Sequence, residues 1–105
     1  MKIGAVGFGS RVAHIYFELN KINKEAEMIA FVDPQPIGKK FAISKNIFPS
    51  KQYQSLEEML TNENLDLLMI GSPNHLHLEH IQKGLEHGIK IFAEKPIVAD
   101  EEQTW

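Results

Sequence analysis

The sequence contains no cysteine, no long apolar run and no excess of basic residues. The absence of cysteine among its 105 residues excludes a disulfide scaffold and any thiol chemistry. No apolar stretch approaches the ~18 residues that a membrane span requires, and the residues after Met1 leave no room for a signal peptide. A net charge of −3 argues against a nucleic-acid surface, which is normally basic. These absences predict a cytoplasmic protein that binds neither nucleic acid nor membrane.

Apolar residues are plentiful enough for one packed domain. Ile, Leu, Val and Phe make up 31 of the 105 residues, well above the roughly 20% below which disorder is expected. Short apolar runs at 3–6, 28–32, near 53, 65–70 and 89–93 alternate with segments of helical spacing at 11–22, 37–44, 55–62 and 75–87. This alternation predicts an α/β fold, a doubly wound parallel sheet of about five strands with helices on both faces.

Local signals specify helix ends and faces. Ser55 and Glu58 form a capping-box pattern, in which Ser55 accepts from the amide of Glu58 while Glu58 reaches back. Gly88 occupies the position of a C-terminal cap. The helical spacing turns Ile37, Phe41 and Ala42 inward in the second helix and places Leu78, Ile81 and Leu85 on one face of the last.

A glycine-rich turn joins the first strand to the first helix. Gly7 permits a tight turn, and Gly9 lets the backbone approach a pyrophosphate, whose charge then lies at the helix N-terminus. The third position of this motif usually takes Gly or Ala, and Val12 departs from that pattern. The location between a strand and a helix strengthens the match. The residues predicted to contact a dinucleotide here are Gly7, Phe8, Gly9, Ser10 and Arg11.

Asp33 ends the second strand, 24 residues beyond Gly9. In a dinucleotide-binding fold this is the place of the carboxylate that bonds the ribose hydroxyls, and its charge would repel a 2′-phosphate. NAD is therefore favoured over NADP, although Arg11 leaves NADP open, since a nearby arginine can accommodate that phosphate. The alternative interpretation is a turn residue before Pro34.

Five histidines invite a metal-site hypothesis, which the spacing does not support. His75 and His77 begin a helix and lie ~200° apart around it, so they do not share a face. We expect His80 and His87 on the helix surface, and His14 to be packed or solvated rather than functional. No metal site is predicted.

Polar segments follow the fourth and fifth strands. Both fall at the carboxyl edge of the predicted sheet, where open α/β folds bind ligands. They are Ser-Pro-Asn-His-Leu-His at 72–77 and Glu-Lys-Pro at 94–96. Pro96 favours an extended Lys95, which would project its ammonium into the crevice and could help proton transfer. A surface salt bridge between Lys95 and Glu94 is the alternative.

Taken together and in order, Gly7-x-Gly9, Asp33-Pro34, 72–77 and 88–96 resemble the amino-terminal domain of the glucose–fructose oxidoreductase / inositol dehydrogenase / rhizopine-catabolism (Gfo/Idh/MocA) family. The resemblance covers nearly the whole chain. It implies the Rossmann-type half of an NAD(P)-dependent oxidoreductase that acts on a sugar, cyclitol or related polyol. It also implies that Lys95 is catalytic, touching the reacting hydroxyl and the nicotinamide end. The implied lining of the cofactor cleft comprises Ser72, Pro73, Asn74, His77 and Glu94.

The end of the sequence predicts a fragment. Asp100 begins a helix-start pattern that stops at Trp105. The resemblance implies a missing second domain with further catalytic residues, the substrate pocket and an oligomer interface, so the longer protein is expected to be a homo-oligomer. The fragment alone should bind NAD(H) weakly and turn over nothing. Two alternatives stay open: a nucleotide-sensing module without catalysis, against which Lys95 argues, and a homoserine dehydrogenase or dihydrodipicolinate reductase type.

Overall fold

The structure, a computed structural model, describes residues 1–93, in which strands and helices alternate as the apolar runs predict. The elements in chain order are β1 (Lys2–Val6), α1 (Ser10–Ile22), β2 (Glu27–Val32), α2 (Lys39–Ser44), β3 (Lys51–Tyr53), α3 (Leu56–Asn62), β4 (Leu67–Ile70), α4 (Asn74–Glu86) and β5 (Lys90–Ala93). The predicted ends differ from these by at most two residues. The helix start predicted at Asp100 lies outside the described residues.

The five strands form one parallel sheet in the order β3-β2-β1-β4-β5. The chain proceeds from β1 outward to β3, then returns to the other side of β1 for β4 and β5. The strand order therefore reverses between β1 and β4. In open α/β sheets this reversal creates a crevice at the carboxyl ends of the strands, where ligands bind.

Helices cover both faces of the sheet, because successive strand residues point to opposite sides. Ile3 and Ala5 of β1 join the cluster beneath α1 and α2, whereas Val6 joins the cluster beneath α3 and α4. Burial on both faces explains why the strands are continuous apolar runs rather than alternating ones. Within residues 1–93 no helix is both long and apolar enough to cross a bilayer.

The predicted helix ends are confirmed in most details. Ser55 Oγ accepts from the amide of Glu58 at 3.1 Å. The Glu58 carboxylate reaches back one residue further than predicted, accepting from the amide of Gln54 at 3.3 Å. Gly88 has φ +71°, and the amides of Gly88 and Ile89 donate to the carbonyls of Leu85 and Gly84. These two bonds form a Schellman cap that ends α4.

The predicted inward faces are partly wrong. Ile37 is 55% exposed because α2 begins two residues after it, whereas Ala42 is buried and Phe41 partly buried. Leu78 and Leu85 are 80% and 62% exposed, and of the predicted face only Ile81 packs on the core.

The buried side of α4 contains His80 and Gly84 instead. A Cβ on Gly84 would lie 2.4 Å from Ile91 Cδ1, so its absence lets the helix approach the sheet closely. The prediction of a surface His80 is therefore wrong, since His80 is only 7% exposed. His87 is exposed, as predicted.

Candidate cofactor-binding site

The glycine turn lies at the reversal point of the sheet, between the end of β1 and the start of α1. Gly7 has φ +85°, a conformation that L side chains rarely adopt, and its amide donates to the carbonyl of Val32 at 2.7 Å. Gly9 is the N-cap of α1 and provides no side-chain hydrogen bond to the first turn. The N-terminus of this 13-residue helix therefore keeps backbone amides for an anion.

Two glycine-containing turns contact each other across the reversal point. A Cβ on Gly7 would lie 2.6 Å from both Gly71 C and Ser72 N, so the turn after β4 packs directly against the glycine turn. A Cβ on Gly71 would lie 2.5 Å from Val12 Cγ2. The bulk of Val12, which departs from the usual motif, is thus accommodated because Gly71 has no side chain. The sequence pattern did not single out Gly71.

Asp33 lies at the end of β2, and its carboxylate is bound by backbone amides. Oδ2 accepts from the amide of Phe8 at 2.6 Å, and Oδ1 accepts from the amide of Gln35 at 2.8 Å. Burial raises the pKa of Asp33 above its usual value, while these two hydrogen bonds oppose that rise. The side chain is only 1% exposed. Ribose hydroxyls could reach the carboxylate only after neighbouring atoms shift, although each oxygen retains a second lone pair.

The other residues of the glycine turn divide into buried and exposed side chains. Phe8 is fully buried and packs against the rings of Phe31 and Phe48, so only its backbone faces the turn. Ser10 and Arg11 begin α1 with exposed side chains. His14, one turn later, stacks on Phe41 and donates from Nδ1 to the carbonyl of Ser10. The side chain is exposed and stacked on that ring, which agrees with the prediction of a packed or solvated residue.

The turn after β4 and the first turn of α4 contain four of the predicted residues, Ser72, Pro73, Asn74 and His77. Ser72 is 5% exposed, and its Oγ shares a 2.7 Å hydrogen bond with Nδ1 of His80. Pro73 is the N-cap of α4, and Asn74 is its first residue. His77 presents a buried Nε2 that has no hydrogen-bond partner within the described part of the chain. An unpaired buried nitrogen of this kind fits a site that is completed by another group.

Glu94 and Lys95 lie outside the described residues, so their predicted roles stay predictions. Ala93, the last described residue, pairs with Ile70 at the end of β4. The described part of β5 therefore ends level with the strand that precedes Gly71 and Ser72. Among residues 1–93, no three His, Asp or Glu side chains are close enough to bind a metal ion.

Comparison with known protein families identifies the family of this chain. The Gfo/Idh/MocA family, described as an oxidoreductase family with an NAD-binding Rossmann fold, matches residues 1–104. The chain belongs to this family. The Rossmann fold and the resemblance predicted from the motifs are both confirmed.

Individual relatives agree with the family assignment. An uncharacterized oxidoreductase of Streptococcus pneumoniae is 33% identical over 97 residues, covering 92% of this chain and 25% of the relative. Inositol 2-dehydrogenase of an Arthrobacter species is 28% identical over 105 residues, covering all of this chain and 31% of the enzyme. This member of the Gfo/Idh/MocA family therefore spans about a quarter to a third of the length of such relatives.

A solved dehydrogenase structure has a similar fold. It is scyllo-inositol dehydrogenase of Lactobacillus casei with bound NAD(H) and scyllo-inositol. The two structures have a TM-score of 0.74 at 25% identity, over 91% of this chain and 28% of that one.

Proposed function

We propose that this chain is the cofactor-binding part of an oxidoreductase that transfers a hydride between nicotinamide and a hydroxyl-bearing carbon of a sugar, cyclitol or related polyol. The observation that carries the proposal is the coupling of the glycine turn to Asp33 at the reversal point, through the 2.6 Å bond from the Phe8 amide. The inositol substrates in the names of the two dehydrogenases support the substrate class.

The described residues fit a dinucleotide. The uncapped N-terminus of α1 would receive the pyrophosphate charge, and Asp33 would accept from ribose hydroxyls. Ser72, in the turn packed against the glycine turn, has a hydroxyl, and Nε2 of His77 in the first turn of α4 is buried and unpaired within residues 1–93. Both atoms would become available to a cofactor only after neighbouring atoms shift. When bound, NAD supplies the hydride acceptor or donor.

We favour NAD over NADP. A carboxylate at the end of β2 would repel a 2′-phosphate at close range. The two hydrogen bonds described for the oxygens of Asp33 come from backbone amides rather than from cationic side chains. Arg11, exposed in the first turn of α1, is the group through which NADP could still be bound.

Catalysis is assigned to Lys95 and to parts of a longer protein. Lys95 would stabilise or move the hydroxyl proton, with Glu94 beside it in the cleft, and a second domain would supply the substrate pocket. In that protein Lys95→Ala should reduce turnover more than NAD affinity. If the protein is instead a nucleotide-sensing module, Lys95→Ala should leave its response to the nucleotide unchanged. We further propose that the protein is cytoplasmic and homo-oligomeric.

Calorimetric titration with NADH and NADPH tests the cofactor assignment. Asp33→Asn should weaken NADH binding about tenfold, because a charged acceptor for the ribose is lost, and should leave NADPH binding unchanged or stronger. Asp66→Asn is the matched control, since Asp66 accepts from the Lys2 amide at the opposite edge of the sheet. Absence of binding to both dinucleotides on a folded sample, or equal effects of the two substitutions, would overturn the assignment.

A further inference from the structure

The pair formed by Ser72 and His80 has no place in the proposed chemistry, yet it is among the few buried polar contacts described. Both side chains are more than nine-tenths buried, and they are joined by a 2.7 Å bond between Oγ and Nδ1. Buried polar groups need such partners, because an unpaired one costs ~1–3 kcal/mol. That requirement accounts for the bond between Ser72 and His80, but it does not say which part of the structure the bond keeps in position.

The pair links the turn after β4 to the body of α4. Pro73, at the N-cap, has no side-chain donor or acceptor and makes no capping bond. His80, in the second turn of the helix, reaches back to Ser72 across eight residues. Ser72 in turn lies against the glycine turn, since its amide nitrogen would be 2.6 Å from a Cβ on Gly7. If Ser72 moved, the glycine turn that lines the crevice would therefore have to move as well.

A small part of His80 lines a cleft at the same edge of the sheet. It lines a cleft of about 320 Å³ between α4 and the start of α3, whose other walls include Val6, Val32 and Lys83. Val6 and Val32 are the last residues of β1 and β2, so the cleft lies at the carboxyl ends of the strands.

We infer that His80 is a positioning residue that holds the Ser72 hydroxyl and the turn 71–73 in the arrangement a bound dinucleotide requires. In the neutral tautomer with a proton on Nε2, Nδ1 accepts the Ser72 hydroxyl proton and leaves the lone pairs of Oγ for the cofactor. Burial lowers the pKa of His80, which agrees with a neutral ring. The inference rests on the proposed function and adds a residue that the motif does not contain.

A double-mutant cycle on the chain tests the inference by NADH titration. His80→Leu should weaken NADH binding roughly tenfold in the wild-type background, the size of one hydrogen bond, and not at all in a Ser72→Ala background. Equal losses in the two backgrounds would mean that His80 contacts the cofactor directly, and no loss in either would mean a purely structural bond. Both results would overturn the inference.

His80→Gln and His87→Leu complete the set. Glutamine can still bond Ser72, so His80→Gln should regain most of the affinity lost in His80→Leu. His87 is exposed at the end of the same helix, so His87→Leu should leave NADH affinity unchanged. Failure of rescue alongside a stable fold would contradict the inference.

Amide hydrogen exchange separates this inference from the proposed function, because it needs no ligand. In His80→Leu, the amide of Gly71, which bonds the carbonyl of Val6, and that of Gly7, which bonds the carbonyl of Val32, should exchange about tenfold faster. The amides of Asn23 and Glu63, at distant helix ends, should report any change in overall stability. A uniform increase at all four would show that His80 supports the fold in general and would overturn the inference even if no dinucleotide binds.

Discussion

The two halves of the sheet hold their candidate binding turns at the same edge through different hydrogen bonds. In the β1–β2 half, backbone amides bind the buried carboxylate of Asp33. In the β4–β5 half, a side chain from the middle of a helix bonds Ser72, and His77 Nε2 has no partner among residues 1–93. In the first turn, the amides of Phe8 and Gly7 donate to the Asp33 carboxylate and the Val32 carbonyl, so one side chain and the backbone both hold it. The second turn also has a backbone bond, from the Gly71 amide to the Val6 carbonyl, but its side-chain bond joins Ser72 to His80 in the following helix.

The point at which the halves meet should be the most sensitive to change. Gly7→Ala places a Cβ 2.6 Å from the backbone of Gly71 and Ser72 in a positive-φ conformation, and should lower the free energy of unfolding by about 2–5 kcal/mol. Gly88→Ala is the matched control, because its φ is also positive but nothing lies within 4 Å. It should cost only about 1–2 kcal/mol. Urea unfolding measures the free energy of unfolding of both variants. Similar decreases in the two would show that close contact between the turns adds nothing to the cost at Gly7.

Acidification should change the contributions of the two halves to folding stability in opposite directions. Burial lowers the pKa of His80 below its ordinary 6.5, so the unfolded chain binds this proton first and stability falls as pH drops below about 6.5. Burial raises the pKa of Asp33, so the folded chain binds that proton first. The cost of its buried charge, fully present at neutral pH, is relieved as pH falls through the raised pKa.

Urea unfolding between pH 8 and pH 4 measures both effects by difference. Subtracting the profile of His80→Gln from that of the wild type should give a stability term that decreases on acidification. The corresponding subtraction with Asp33→Asn should give a term that increases. Two differences of the same sign would contradict the contrast between the halves.

The smallest effect is expected on the outer face of α4. Leu78 is 80% exposed, so Leu78→Ser should change the free energy of unfolding by no more than about 0.5 kcal/mol. Ile81→Ser, on the face that packs on the core, should be clearly destabilising. Thermal unfolding of both variants tests the revised orientation of the helix. If Leu78→Ser lowered the thermal stability as much as Ile81→Ser, the inward face predicted from the helical spacing would be supported after all.

Sequence patterns were sufficient where the signal is local. The alternation of apolar runs, the cap at Ser55 and the positive φ at Gly88 depend on residues within a few positions of each other. The orientation of α4 was predicted wrongly because its inward side carries a histidine and a glycine, which an apolar pattern passes over. Gly84 inside the helical segment was the available signal, since close helix–sheet packing favours a residue without a side chain.

The sequence by itself determined the doubly wound sheet, the glycine turn and the place of Asp33, because strand burial and turn geometry follow from neighbouring residues. Only the tertiary structure decided that Asp33 is closed off by the Phe8 amide, 25 residues away, that Gly71 makes room for Val12, and that His80 bonds Ser72. These contacts depend on how closely separate segments approach when the sheet and helices pack. Sub-ångström differences in that approach are not encoded in the identity of any one residue.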